Sequence, residues 1–164
     1  MTLLYLVRHG QTPWTVSGQH TSYTDLDLTE QGEQQAHALR EKLDPSEFGL
    51  VLTSPRMRAR KTAELAGFTD YEVTDDLQEW NYGDYEGITT REIQAGRPGW
   101  SLWEDGCPGG EQAADVGVRV DRVIEETLGA DGDVAIFAHG HVLRVLGARW
   151  VQQPPQFGGR LALS

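Results

Sequence analysis

The sequence predicts an α/β fold of three layers, with helices on both faces of a mainly parallel central sheet. Two observations carry that expectation. Three short apolar runs are near-continuous instead of alternating, the pattern of strands buried on both faces. Between and after them, apolar residues recur every three or four positions, the pattern of amphipathic helices. Strands that alternate with helices in this way build parallel sheets.

The first run, Leu3-Leu4-Tyr5-Leu6-Val7, stops at Arg8-His9-Gly10. Thr29 then caps a helix that carries Glu30 and Glu33 in its first turn, where carboxylates meet free backbone amides. Ala36, Leu39 and Leu43 form its apolar face. The second run, Phe48 to Leu52, ends in Thr53-Ser54-Pro55, and a helix follows over Arg56 to Leu65. From Glu111 the set Ala113, Val116, Val120, Val123, Ile124 and Leu128 fits a helix that stops at Gly129. The third run, Val134 to Ala138, ends in His139-Gly140. The next helix, Val142 to Val151, is apolar almost all round and expected to be buried.

Between about residues 75 and 110 no period holds, while tryptophans and tyrosines gather at Trp80–Tyr85 and Trp100–Trp103. Such a tract reads as a long excursion that covers a binding site. One domain is expected over residues 1–164, without repeat or linker. Ligands of parallel sheets bind beyond the carboxyl ends of the strands. Arg8-His9, Thr53-Ser54 and His139 should therefore share one rim.

Composition narrows the chemistry. The 164 residues carry 14 basic and 25 acidic side chains, a formal net charge of -11. No basic stretch could track a phosphate backbone, so nucleic acid and anionic membranes are excluded as partners. A small anion remains admissible, because it feels its pocket more than the distant net charge. The lone Cys107 rules out an internal disulfide framework and points to a reducing, cytoplasmic setting. The apolar start is too short for a signal segment, and no run approaches membrane-spanning length.

A histidine at a strand end, as in Arg8-His9-Gly10, suits nucleophilic attack on phosphorus. Its arginine neighbour offers a fork for phosphate oxygens, and Gly10 lets backbone approach a ligand. The tripeptide alone fits an ordinary histidine beside a turn better; the second rim histidine, His139, tips the balance. Arg56, Arg60 and Lys61 read as a solvated basic face, while Arg58 is expected to contact ligand. A metal site of His9, His139 and His141 is the rival reading, but that spacing makes no closed ligand set, and no metal or cofactor is expected. Glu79, Asp84 and Glu86 lie among aromatic residues that favour a proton-donating carboxyl, and composition leaves the three tied. His20 and His37 look ordinary. Cys107 lacks the arginine of a phosphate-binding cysteine loop, and Gly109-Gly110 lack the Lys-Ser/Thr of a P-loop.

Taken together, the blocks Leu6-Val7-Arg8-His9-Gly10-Gln11-Thr12, Leu28-Thr29-Glu30-Gln31-Gly32, Thr53-Ser54-Pro55 through Arg58-Ala59 to Thr62, Ala138-His139-Gly140, and the stretches Glu79–Gly83 and Tyr85–Gly87 resemble the histidine phosphatase superfamily, the phosphoglycerate-mutase-like fold. The likeness runs from residue 3 to about 155. It implies that His9 is transiently phosphorylated, that Arg8, Arg58 and His139 form the phosphate pocket with Gly140, and that Glu79 is the proton donor. Tyr82 falls in a matched stretch and is counted with the substrate pocket. Thr15 stands where the family commonly has a phosphate-binding asparagine. Gln19 and His141 stand where mutases carry an arginine and an asparagine.

With the arginine-bearing insertion of mutases absent, the chain is similar to the small bacterial phosphatase branch. The resemblance implies a phosphomonoester hydrolase that works through phosphohistidine on small phosphorylated metabolites and releases inorganic phosphate. A cofactor-dependent phosphoglycerate mutase and an inert phospho-ligand binding module are the alternatives, and a homodimer is left open. The cap adds only Arg91 and Arg97 as further cations, so a second anionic group should bind poorly. Since the chain stops at Ser164, the closing strand of the family is expected to be missing.

Overall fold

Four strands, all parallel, form one sheet in the computed structural model, which describes residues 2–163. They are β1 (Leu4–Arg8), β2 (Phe48–Thr53), β3 (Glu72–Val73) and β4 (Asp133–Ala138), in the order β1-β4-β2-β3. Seven helices surround them: α1 (Pro13–Ser17), α2 (Glu30–Ala38), α3 (Met57–Leu65), α4 (Thr90–Gly96), α5 (Leu102–Asp105), α6 (Ala113–Leu128) and α7 (Gly140–Trp150). Short 3₁₀ turns include Asp75–Leu77, Gly83–Tyr85 and Pro155–Arg160. No described helix is long and apolar enough to cross a membrane.

The period-two alternation of β4 divides the core. Val134, Ile136 and Ala138 face α6, α7 and the aromatic tract, where Trp80, Tyr82 and Trp100 are buried. Ala135 and Phe137 face the other side, against Ala63 and Ala66 near α3 and against Phe68. Helices thus cover both faces, as the alternation of strands and helices requires.

The first run departs from expectation. Instead of being buried on both faces, Leu4, Tyr5 and Leu6 are half-buried and Leu3 is 50% exposed. The reason is position: β1 is an edge strand, paired with β4 alone among the described residues. Strand β3, with two residues, is too short to show a pattern, and the same holds for α1, α4 and α5. Helix α7 starts two residues earlier than its apolar run, at Gly140, with His139 at its N-cap. Among the described residues no strand follows α7.

Gly10 serves a different approach from the one its place beside His9 suggests. A Cβ on Gly10 would lie 2.4 Å from the Gly32 carbonyl oxygen, and one on Gly32 2.2 Å from that of Gln11. The two glycines let the end of β1 pack directly on the first turn of α2. Thr29, the α2 N-cap, fixes the contact by donating its amide to the Gln11 carbonyl (2.9 Å). On the opposite side, Cys107 is buried beneath the cap, and burial, then the Glu111 charge, push its thiol up to about 12.

Candidate active site

Because β1 and β4 are neighbours in register, with Arg8 opposite Ala138, the residues that follow them meet. The rings of His9 and His139 stand 5.1 Å apart, edge to face. His9 Nδ1 lies 2.8 Å from the Gly10 carbonyl oxygen. A carbonyl only accepts, so Nδ1 carries the proton and Nε2 keeps its lone pair. Burial, then the Arg58 charge, then Arg8, lower this imidazole to about 3 against the opposing Gly10 bond. His9 is therefore neutral near pH 7. His139 Nε2 is 2.7 Å from Ser54 Oγ at the end of β2, while its buried Nδ1 has no partner. Burial and then Arg58 also hold His139 well below its ordinary value.

Arg58 is fully buried, on the first turns of α3. Nη1 donates to the Thr24 carbonyl (3.0 Å), and Nη2 to those of Ser22 (3.0 Å) and Thr21 (3.2 Å). Its Nε–H is buried and unpartnered. Two buried polar atoms without partners, Arg58 Nε and His139 Nδ1, thus lie close to His9. With the Ser54 hydroxyl donating to His139 Nε2, Nδ1 carries a proton, and both are donors that an anion satisfies.

The three tied carboxyls separate clearly. Glu86 accepts from the amides of Ser22 (2.9 Å) and Thr24 (3.1 Å), and so clamps the loop whose carbonyls hold Arg58. Asp84 lies against Gly109 in the cap. Glu79 alone lines the cavity above the histidines. Its Oε1 accepts from the amides of Trp80 (2.8 Å) and Val142 (2.8 Å), and its Oε2 from that of His141 (3.0 Å). Oε1 is saturated, whereas Oε2 keeps one lone pair. The carboxyl also occupies the α7 N-terminus, where an anion is favoured.

That cavity, about 500 Å³, lies over the ends of β1 and β4, and its charged lining is Arg8, Glu79 and Arg144. Gly140, also in the lining, leaves room for Arg8, whose Nε would be 3.4 Å from an added Cβ. A second cavity, about 580 Å³, runs under α2 along the open edge of β1 and shares Arg8, His9 and Thr15 with the first. Glu79 lines the first cavity and not the second, while His139 and Arg58 lie beneath the lining of both. Among the described residues no group of three or more His, Cys, Asp or Glu side chains is placed to hold a metal ion.

The remaining candidates take unequal parts. Tyr82 Oη bonds His141 Nδ1 at 2.6 Å. The hydroxyl has no other partner among the described residues and therefore donates, which leaves Nε2–H on a cavity-lining ring. Burial and then Arg144 lower His141 to about 3. Gln19 is turned toward the cap, with Nε2 donating to the Gly87 carbonyl (2.7 Å). Thr15 lines both cavities, but its hydroxyl is engaged locally: it donates to the Thr12 carbonyl (2.8 Å) and accepts from the Thr12 amide in the α1 capping box.

Two wall residues escaped the sequence. His20, which looked ordinary, stacks 4.6 Å from Tyr82 and is lowered to about 4 by burial and then by His141. Arg144 lies 4.7 Å over the Trp103 ring, with Nε and Nη2 donating to the carbonyls of Gly158 (2.9 Å) and Gly159 (3.0 Å). An arginine one turn after the rim histidine, in a helix apolar almost all round, was its available signal.

The profile of the histidine phosphatase superfamily (branch 1) matches residues 4–164. The chain is 43% identical over 164 residues to an acid phosphatase of Mycobacterium tuberculosis, covering 98% of this chain and 81% of that one. It is 40% identical over 179 residues to sedoheptulose 1,7-bisphosphatase of Saccharomyces cerevisiae, covering 88% and 66% respectively. A solved structure of an open reading frame product from Mycobacterium tuberculosis superposes with a TM-score of 0.90 at 42% identity, over 98% of this chain and 85% of the other. With a profile match across almost its whole length and that level of identity to relatives, the chain belongs to the histidine phosphatase superfamily, branch 1.

Proposed function

We propose that this phosphatase hydrolyses monoesters of small phosphorylated metabolites through a phosphohistidine on His9. The observation that carries the reading is the Nδ1–H bond to Gly10, which leaves a neutral imidazole with a free Nε2 lone pair facing a second histidine. In the first step Nε2 bonds to phosphorus as the ester P–O bond breaks. Arg8, the free Nε–H of Arg58 and His139 Nδ1–H bind the phosphoryl oxygens. Glu79 Oε2, the oxygen with a lone pair to spare, delivers its proton to the leaving alkoxide. In the second step the same oxygen takes a proton from water as the water oxygen bonds to phosphorus and the P–N bond breaks. Inorganic phosphate leaves and both side chains are restored.

A binding module needs neither nucleophile nor proton donor, and the shared lining of His9 and Glu79 in one cavity supports the enzyme reading. Two relatives at 40% identity or above are named phosphatases, which favours transfer to water over return to an organic acceptor. The lone buried thiol fits a reducing, cytoplasmic setting, with residues 1–164 working as one unit under the cap. The test is rapid quench with a radiolabelled monoester. Acid-labile, base-stable label is expected on the wild type and none on His9→Ala. Label that persists in the variant moves the nucleophile elsewhere.

A further inference from the structure

The sequence offered no cation for a second anionic group beyond Arg91 and Arg97. Neither serves that end: Arg91 is exposed, Arg97 is paired with Asp105 at 2.7 Å, and both lie outside the cavity lining. The wall instead holds Arg144, five residues beyond His139 on α7. Its guanidinium is fixed on three sides, by the Trp103 ring and by two carbonyls of the Pro155–Arg160 turn. Among the described residues its Nη1 has no hydrogen-bond partner, and no side-chain carboxylate lies within 4.0 Å of it. What sets Arg144 apart is its placement: it is immobilised in a cavity wall, in a chain of net charge -11, without a side-chain ion pair among the described residues.

The surroundings separate this charge from the phosphoryl centre. Trp103, under Arg144, stacks 5.6 Å from His141, and His141 stands between it and the His9–His139 pair along the start of α7. The α7 N-terminus offers no rival anion site, because Glu79 already fills it. His20 and the Nε2–H of His141 supply uncharged polar groups beside Arg144, and Thr90 lines the same wall. A wall of this kind suits hydroxyls along a short chain that ends in a negative charge.

We propose that Arg144, with His141 and His20, forms a distal subsite for a second anionic group, so that the preferred substrates are phosphomonoesters that also carry a phosphate or a carboxylate. The inference rests on the phosphatase reading above and adds the substrate class to it. Arg144 contributes a directed charge-assisted donor, and the free Nη1 is the atom that meets the second anion.

Four substrates are compared in the wild type: p-nitrophenyl phosphate, a sugar bisphosphate, its matched monophosphate, and 3-phosphoglycerate. A charge-assisted hydrogen bond predicts a preference of about ten- to hundredfold in kcat/KM for the two-anion substrate, expressed mainly in KM. A preference for the bisphosphate over its monophosphate assigns the subsite to phosphate. A preference for 3-phosphoglycerate alone assigns it to a carboxylate. Arg144→Gln should lower kcat/KM for the preferred substrate about tenfold or more beyond its effect on p-nitrophenyl phosphate, and Arg144→Lys should restore part of the difference. Should Arg144→Gln fold poorly, competitive inhibition of the wild type by bis- against monophosphonates reads the same preference. Turnover of p-nitrophenyl phosphate without any preference for a second anion overturns the subsite and leaves the phosphatase reading intact. No turnover of any monoester overturns the reading beneath it.

Discussion

In the proposed step a single proton separates a nucleophilic His9 from an inert one, and the fold fixes it twice. The Gly10 carbonyl selects the tautomer, and burial beside Arg58 keeps the ring neutral. Glu79 is governed with similar economy, since three backbone amides hold its carboxyl and leave one lone pair at Oε2. Glu79→Gln can keep its carbonyl oxygen at the saturated position, toward Trp80 and Val142, with the amide nitrogen at the position that faced His141. Proton delivery is lost together with the His141 bond, whose amide then faces a second donor. Because that structural cost falls on every substrate alike, the contrast between substrates reads the proton. Esters of poorly acidic alcohols should then slow by about 10²–10⁴-fold, and p-nitrophenyl phosphate far less. Steady-state kinetics on both substrate types checks this, and equal losses would assign the proton to water.

Strand ends do most of the assembling at the level of elements. The neighbouring ends of β1, β4 and β2 bring Arg8-His9, His139 and Ser54 to one rim, and that much follows from reading the apolar runs as strands of a parallel sheet. What the runs could not supply is the partner of each polar group. The choice of Glu79 over Asp84 and Glu86 depends on amides of α7, more than 60 residues away in the chain. The wall positions of His20 and Arg144 depend likewise on cap and C-terminal segments without a period. Glu86 shows how such a segment acts at a distance, since it holds the 21–24 loop and, through its carbonyls, Arg58. Glu86→Ala should reduce kcat/KM on a simple monoester about tenfold or more, the value of a charge-assisted bond. Glu86→Gln, which keeps an acceptor oxygen, should recover part of it. Equal loss in both variants would deny Glu86 a positioning role.

Across the whole molecule, the acidic limit of stability is set by the same histidines. His9 and His141 are lowered to about 3, His20 to about 4 and His139 well below its ordinary value, while unfolded histidine titrates near 6.5. As pH falls from about 6.5 toward 4, the unfolded chain binds protons that the folded chain refuses, so stability declines through that window. Each deeply buried histidine contributes up to about 1.4 kcal/mol per pH unit there, and the partly exposed His20 less. The urea midpoint should therefore drop between pH 7 and pH 5, and a midpoint that stayed level would show these rings to be charged in the native state. Cys107 adds a different kind of reporter. It is the only thiol in the chain, 3% exposed, and burial keeps it protonated. An alkylating reagent can reach it only while the segment between α5 and α6 is lifted, so the rate of labelling becomes a clock for that opening. Run with and without inorganic phosphate, the clock tells whether an anion at the strand ends steadies a segment that does not itself line the cavity.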